Sequence, residues 1–259
     1  MLSLTAAQIT QYLGAFWWPF SRLMGAFIIM PFLGNIEIPT IIRILLAMMI
    51  AALLAPTLPP MPVVDPMSLA AVWLATEQLL IGMMMALTLT MMMHVLTLLG
   101  AIMSTQMGLS MALINDPSSG SSAPIVGQMM LMFGTLLFLG LDGHLVAIGI
   151  LTDSFRLWPV GHGIFGLPLM SLVGRFAWMF AAAFMLALPA VLAMLVVNLT
   201  FGVLNRAAPA LNIFSLGFPM AMIMGLLCLY LSFSSLPARY TEVCQQALSY
   251  VYQFVGGAV

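Results

Sequence analysis

Residues 104–124 read STQMGLSMALINDPSSGSSAP, and this stretch decides how the rest of the chain is read. It holds two glycines, two prolines, six serines, one acid and no base. On either side lie hydrophobic runs, 69–103 and 125–151, each long enough to cross a bilayer. A flexible polar loop between such runs must face water, line a cavity or touch protein, because unsatisfied backbone groups are not tolerated in lipid. The loop is therefore the first candidate for the working part of the molecule, and the apolar runs around it are expected to be helices.

Working outward, the same pattern recurs along the chain. Six hydrophobic segments are read: 13–33, 38–58, 69–103, 125–151, 168–204 and 211–233, followed by a tail over 237–259. Few of them alternate with a period of two, so helices are favoured over strands. The third and fifth are too long for one simple span of about 20 residues. Pro19, Pro31, Pro189 and Pro219 lie inside or near apolar runs and predict kinks or early stops. In the tail, Tyr240, Val243, Ala247, Tyr250, Val251 and Phe254 recur at helical spacing, with Glu242, Gln245, Gln246 and Gln253 on other faces. That pattern is an amphipathic helix lying on protein or at an interface.

Composition fixes the class. Of 259 residues, 63% are hydrophobic and 5% charged, against about 25% charged in soluble domains. Too little charge is present to cover a solvated globule, so the expected fold is an all-α membrane protein of about six hydrophobic helices arranged as kinked hairpins. The net charge of −1 gives no electrostatic case for nucleic acid. The N-terminus lacks a basic stretch and a cleavage site, so the first hydrophobic segment is expected to stay in the mature protein. All six bases are arginines, and Arg22, Arg43, Arg156, Arg175, Arg206 and Arg239 are spread over the whole chain. Such a distribution sets no clear orientation and suits a chain held by partner subunits.

Charges inside apolar segments are functional candidates. Glu77 and His94 share one long helix, but 17 residues at 1.5 Å rise put them about 25 Å apart. Glu77 is instead expected to pair across helices with Arg22 or Arg43. Asp142, His144 and Asp153 invite a catalytic reading, yet no nucleophile elbow and no metal-binding histidine pair accompanies them. Helix ends explain them better: Gly143 is expected to take the left-handed conformation, and Asp153 or Ser154 to satisfy backbone donors. No catalytic, metal-binding or cofactor site is expected, and Cys228 and Cys244 read as two free thiols. Asn198, Asn205 and Asn212 recur every seven residues, with Pro209 expected to break the helix between them. These amides are expected to bond neighbouring helices, and Arg206 to contact protein or headgroups. The clusters Met83–Met84–Met85 and Met91–Met92–Met93 read first as core filling, and otherwise as a deformable seal.

Four stretches together carry a family resemblance: QMGLSMALINDPSSGSSAP (106–124), FLGLDGHLVAIGIL with the following SF and WPVG (138–161), LALPAVLAMLVVNLTFGVLNRAAPALNIFSLGFP (186–219) and GLLCLYL (225–231). Their order resembles the FliR/YscT/SpaR family, the export-gate subunit of bacterial type III secretion, over essentially the whole chain. NRAAPALNIFSLGFP is more similar to the flagellar branch than to the virulence branch. The resemblance implies a non-enzymatic role. It implies one copy of this chain with five FliP and four FliQ subunits and with FlhB attached. The assembly would sit in the bacterial inner membrane at the base of the basal body and pass unfolded flagellar proteins. It further implies a FliP-like portion, 1–167, fused to a FliQ-like helical hairpin with the amphipathic tail, 168–259.

For the opening loop the resemblance implies a plug that closes the channel, with Gln106, Gly108, Asp116, Pro117, Gly120 and Pro124 at the matching positions. The physics suits that role. Glycine and serine rearrange at low steric cost, and Asp116–Pro117 favours a turn. Two other readings are weighed: the equivalent subunit of a virulence secretion system, and a secondary transporter or proton channel built on Glu77, His94 and Arg43. A transporter of that kind usually carries internal inverted repeats, and none is read here. An intramembrane enzyme lacks any constellation of groups to support it.

Overall fold

The computed structural model describes residues 6–34, 38–109, 124–207 and 213–256. Within them the regular structure is helical, and no strand occurs among the described residues. The helices are α1 (Ala6–Ile29), α2 (Thr40–Leu54), α3 (Leu69–Gln106), α4 (Ile125–Gly140), α5 (Gly143–Leu157), α6 (Leu169–Ala207), α7 (Ile213–Phe233) and α8 (Leu236–Gly256). A short 3-10 turn, Ala55–Thr57, extends α2.

The expectation of an all-α membrane fold is borne out, with eight α-helices among the described residues in place of six hydrophobic segments plus a tail. The fourth segment breaks into α4 and α5 at a bend. Asp142, with φ 55° and ψ 23°, stands in the left-handed region at that bend. The expected left-handed residue is Gly143. Gly143 is instead the buried first residue of α5, and the exposed aspartate, one of the few side chains that tolerate this conformation, makes the corner. Pro19, Pro189 and Pro219 are carried inside α1, α6 and α7 rather than stopping them, and Pro31 follows the end of α1. Among the described residues three helical stretches are long and apolar enough to cross a membrane: Thr40–Thr57, α3 and the bulk of α6. The bent pairs α4–α5 and α7–α8 raise this to five if each is one span.

The chain forms two compact units. The first comprises Met1–Met91, Leu141–Arg175 and Gln245–Val259. In it α2 packs on α1 through its small residues Ala47 and Ala51 and leaves Ile41, Leu45, Met49 and Leu53 outward. Between α1 and α3 the approach is closer still. A Cβ on Gly82 would overlap the Arg22 carbonyl oxygen, and one on Gly25 would overlap that of Leu79. Small residues bring helix backbones into contact this way in membranes, where dispersion and hydrogen bonding replace the hydrophobic effect between helices. Thr90 Oγ1 adds a hydrogen bond to the Ile29 carbonyl at 2.7 Å. Trp18 Nε1 ties down the proline-rich connector by donating to the Pro62 carbonyl at 3.2 Å.

The second unit comprises Met92–Gly140 and Phe176–Cys244. Its core holds Met92, Met93, Leu96, Met103, Met130, Phe138, Met194 and Tyr240, all nearly or fully buried. Gly100 of α3 lies against Gly127 of α4, where a Cβ would come within 2.6 Å of the Gly127 Cα. The two helices that flank the polar loop thus cross at glycines. Tyr240 Oη donates to Met93 Sδ at 3.1 Å.

Along α8, Tyr240, Val243, Ala247, Val251 and Phe254 are buried while Glu242, Gln245, Gln246 and Gln253 are exposed. The amphipathic reading of the tail therefore holds. The outward side of α6 is largely apolar, from Val173 and Phe176 through Phe184, Leu192 and Leu199 to Val203, with Asn198 and Arg206 the exposed polar exceptions besides Thr200.

Candidate functional site

The polar loop leaves α3 through a well-formed helix end. Leu109 N–H donates to the Ser104 carbonyl at 3.0 Å and Gly108 N–H to the Thr105 carbonyl at 3.1 Å. This is the Schellman pairing, in which a left-handed residue after the helix lets two backbone donors reach back to the last carbonyls. Gly108 supplies that residue, with φ 74°. A glycine takes this conformation without the clash a Cβ would make. Met107, just before it, is fully buried, and its side chain lies on Gly225 of α7, where a Cβ would overlap the Met107 Cγ. At the other end of the loop, Pro124 precedes α4, and its carbonyl accepts from Gln128 N–H at 3.1 Å. Asp116, Pro117 and Gly120 lie outside the described residues, whereas Gln106, Gly108 and Pro124 stand at the loop's two roots.

A second polar assembly sits inside the first unit. Arg22 of α1 has no exposed surface. Its Nε donates to Gln78 Oε1 at 2.8 Å, and Nη2 donates to the same oxygen. Nη1 donates to Ser154 Oγ at 2.8 Å, and Nη2 also to the Trp158 carbonyl at 3.0 Å. The guanidinium carbon stands 4.0 Å from the centre of the Phe155 ring. Glu77 is equally buried and receives Gly163 N–H on Oε1 at 3.2 Å. Trp158 Nε1 donates to the Gly163 carbonyl at 3.1 Å, which closes the connector after α5 onto the same cluster. A buried arginine persists only when its donors are met, and here four bonds and an aromatic face meet them.

The expected ion pair of Glu77 with Arg22 is replaced by a different partnership. Arg22 bonds Gln78, and no ion pair joins it to Glu77 among the described residues. The carboxylate still compensates the arginine's charge electrostatically. Arg43 is half-buried on α2, and its Nη2 donates to the Ile38 carbonyl at 3.1 Å. His94 lies exposed on α3. Asp153 is also exposed. Ser154, expected to satisfy backbone donors, instead donates to the Leu151 carbonyl at 2.6 Å and accepts from Arg22. Asn198 and Arg206 face outward on α6. The Asn205 side chain, Asn212 and the expected break at Pro209 lie outside the described residues. Met91, Met92 and Met93 are buried, as core filling requires, and Met83 and Met84 are half-buried. Cys228 and Cys244 are free thiols. Sequence reasoning missed Gln78 and Gly225, and it gave Ser154 a different partner. A buried arginine signals that some acceptor is needed, but not which one, and Gly225 is one glycine among many.

Among the described residues no group of three or more His, Cys, Asp or Glu side chains is placed to hold a metal ion. A cleft of about 600 Å³ along α1 and α3 is lined by residues such as Leu13, Trp17, Met24 and Leu79, with no titratable group.

A helical membrane chain with a capped polar loop between two packed helices is the setting in which the comparisons fall. The chain belongs to the bacterial export proteins, family 1, whose model matches residues 13–247, and this bears out the resemblance read from the motifs. Its relatives name the branch. It is 36% identical over 231 residues to the flagellar biosynthetic protein FliR of Escherichia coli K12, covering 87% of each chain. It is 33% identical to FliR of Pectobacterium carotovorum, over 92% of this chain and 91% of that one. The FliR of Bacillus subtilis 168 is 27% identical, over 85% and 86%.

Proposed function

We propose that this chain is a non-enzymatic membrane subunit of the flagellar type III export gate, and that loop 106–124 plugs its channel. The observation that carries the reading is the family match over residues 13–247, which includes both roots of the loop and the buried arginine cluster. The names of the relatives favour the flagellar branch over a virulence system. In this reading one copy assembles with FliP and FliQ, five and four copies respectively, with FlhB alongside, in the inner membrane at the basal-body base. The part over 168–259 takes the FliQ-like place. The apolar outward side of α6, with Asn198 and Arg206 on the same helix, supports burial against partner helices. Together with Glu77, Arg43, Asn205 and Asn212, these side chains are the proposed inter-helix or partner contacts.

Two measurements test the proposal. Extraction in mild detergent should co-purify two further small hydrophobic subunits, and a chain that purifies alone would sink the assembly. Deleting residues Leu109–Leu113 should make the membrane leak ions or small molecules. A membrane as tight as that of the parent strain would remove the plug role.

A further inference from the structure

Within the first unit, α1 and α3 touch at Gly25 and Gly82 and part toward the start of α3. The space between them is the cleft of about 600 Å³, lined there by small residues, Gly14 of α1 and Ala71 and Ala75 of α3, and by Val64 and Pro66 of the connector. Its wall offers little to a polar ligand. Ser21 Oγ donates to the Trp17 carbonyl and Thr76 Oγ1 to the Val72 carbonyl, each at 2.9 Å, and Trp18 Nε1 is spent on Pro62. Among the described residues no charged side chain lines the cleft. Exposed tryptophans mark its edge. Trp17 is 45% exposed, and Trp73, 57% exposed, lies on a shallow hollow that shares Val72 and Thr76 with the cleft. Over residues 6–21 and 58–76 the sequence holds one charged residue, Asp65. It is exposed between Val64 and Pro66, and its Oδ1 accepts Met67 N–H at 3.1 Å.

We propose that this cleft is a phospholipid site that takes one acyl chain, with Asp65 at its mouth favouring a zwitterionic, amine-bearing headgroup over an anionic one. The inference depends on the chain being a membrane protein and on neither the plug nor the gate reading. α3 is long and apolar enough to cross hydrocarbon, so a cleft on its flank opens to lipid. A hollow of this size forfeits contacts if it stays empty, and water needs two to four polar partners that this wall does not supply. A partner helix fits it poorly: at about 10 Å across, only about one and a half turns of helix would enter such a volume. A flexible acyl chain enters without that limit, and tryptophans at the edge suit the boundary between hydrocarbon and headgroups. The headgroup preference follows from charge. Anionic lipids are held by clustered Lys or Arg. The nearest base in sequence, Arg22, is buried and bonded to Gln78, Ser154 and Trp158. An ammonium meets the Asp65 carboxylate, whereas an anionic headgroup meets a like charge.

The test uses the full chain, purified with whatever subunits accompany it, in phosphatidylcholine bilayers. These hold rising amounts of phosphatidylethanolamine or phosphatidylglycerol with a diazirine near the end of one acyl chain. Illumination should label peptides covering 10–24 and 64–79, the labelling should saturate, and phosphatidylethanolamine should label them several-fold more than phosphatidylglycerol. Ala75→Phe, which fills the cleft, should lower that labelling several-fold and leave the rest of the chain's labelling unchanged. Thr76→Phe, at an exposed position on the same wall, serves if the first variant does not accumulate in the membrane. Asp65→Asn should keep the cleft labelled and erase the headgroup preference.

Labelling that rises without saturation and ignores both phenylalanines would mean bulk lipid only and overturn the site. Phosphatidylglycerol labelling as well as or better than phosphatidylethanolamine would overturn the role of Asp65. An unlabelled cleft also overturns the proposal. If, in a Cys228→Ala, Cys244→Ala background, Leu13→Cys then cross-links to another subunit, a partner helix holds the cleft instead.

Discussion

The Arg22 guanidinium turns two of its nitrogens, Nε and Nη2, to the single amide oxygen of Gln78 and passes by the carboxylate of Glu77, the residue beside it in sequence. Neighbours on a helix point about 100° apart, so one of the two faces Arg22 and the other faces the connector at Gly163. The arginine is consequently a clamp on α1, α3 and α5 rather than half of an ion pair. Arg22→Ala would leave the Gln78 oxygen, the Ser154 hydroxyl and the Trp158 carbonyl without this partner in a buried place. Breaking such a network is expected to cost about 3–5 kcal/mol. Thermal unfolding in detergent and membrane abundance should both fall. Arg22→Lys should fall between parent and alanine, since an ammonium cannot span the same planar set of acceptors.

Glu77 gives a sharper functional test. Glu77→Gln keeps an oxygen to accept Gly163 N–H but removes any proton to relay and the charge that compensates Arg22. If the residue is structural, stability drops by less than in Arg22→Ala and swimming on soft agar persists. Loss of motility with the protein still abundant in the membrane would favour the proton-channel reading instead.

Much of this was legible in the sequence because membrane helices announce themselves by length and composition. Leu69–Gln106 and Leu169–Ala207 are continuous apolar helices, and the tail's three–four spacing gave the buried face of α8 correctly. What was not legible depends on a single residue's conformation or on a partner far away in sequence. The corner at Asp142 is expected at Gly143, since glycine is the commoner left-handed residue and periodicity does not count which of two neighbours turns. Arg22 is expected to take a carboxylate because opposite charge is a pairing preference that a sequence displays. The amide of Gln78, 56 positions away, carries no such mark. In the candidate site, Gly108 was found through its motif, and the structure supplies its reason as a helix cap.

The crossing of α1 and α3 gives a prediction with an internal control. Gly82→Ala would drive a Cβ into the Arg22 carbonyl, a backbone atom that cannot move aside without parting the helices. Overpacking of this kind is expected to cost about 1–3 kcal/mol or more. Gly149 in α5 is exposed with nothing near its Cβ position. There the same change should stabilise by about 0.5–1 kcal/mol, the ordinary gain of alanine over glycine inside a helix. Melting temperatures of the two variants should move in opposite directions. If both fall alike, close approach is not what the glycine at 82 serves.

Gly108 should tolerate substitution in an order set by backbone conformation rather than by size. At φ 74° a side chain with a Cβ is strained, by about 1–2 kcal/mol for an ordinary residue. Asparagine visits this region more readily than alanine, and a β-branched valine least of all. The two bonds from Gly108 and Leu109 to the α3 carbonyls depend on that conformation, so the strain falls on the root of the loop itself. Gly108→Asn should keep near-parental motility and a tight membrane, Gly108→Ala should leak slightly, and Gly108→Val should leak most. The readout is uptake of a small membrane-impermeant dye, normalised to the amount of protein in the membrane. An order following side-chain volume, with asparagine worse than alanine, would mean that space rather than φ limits the position.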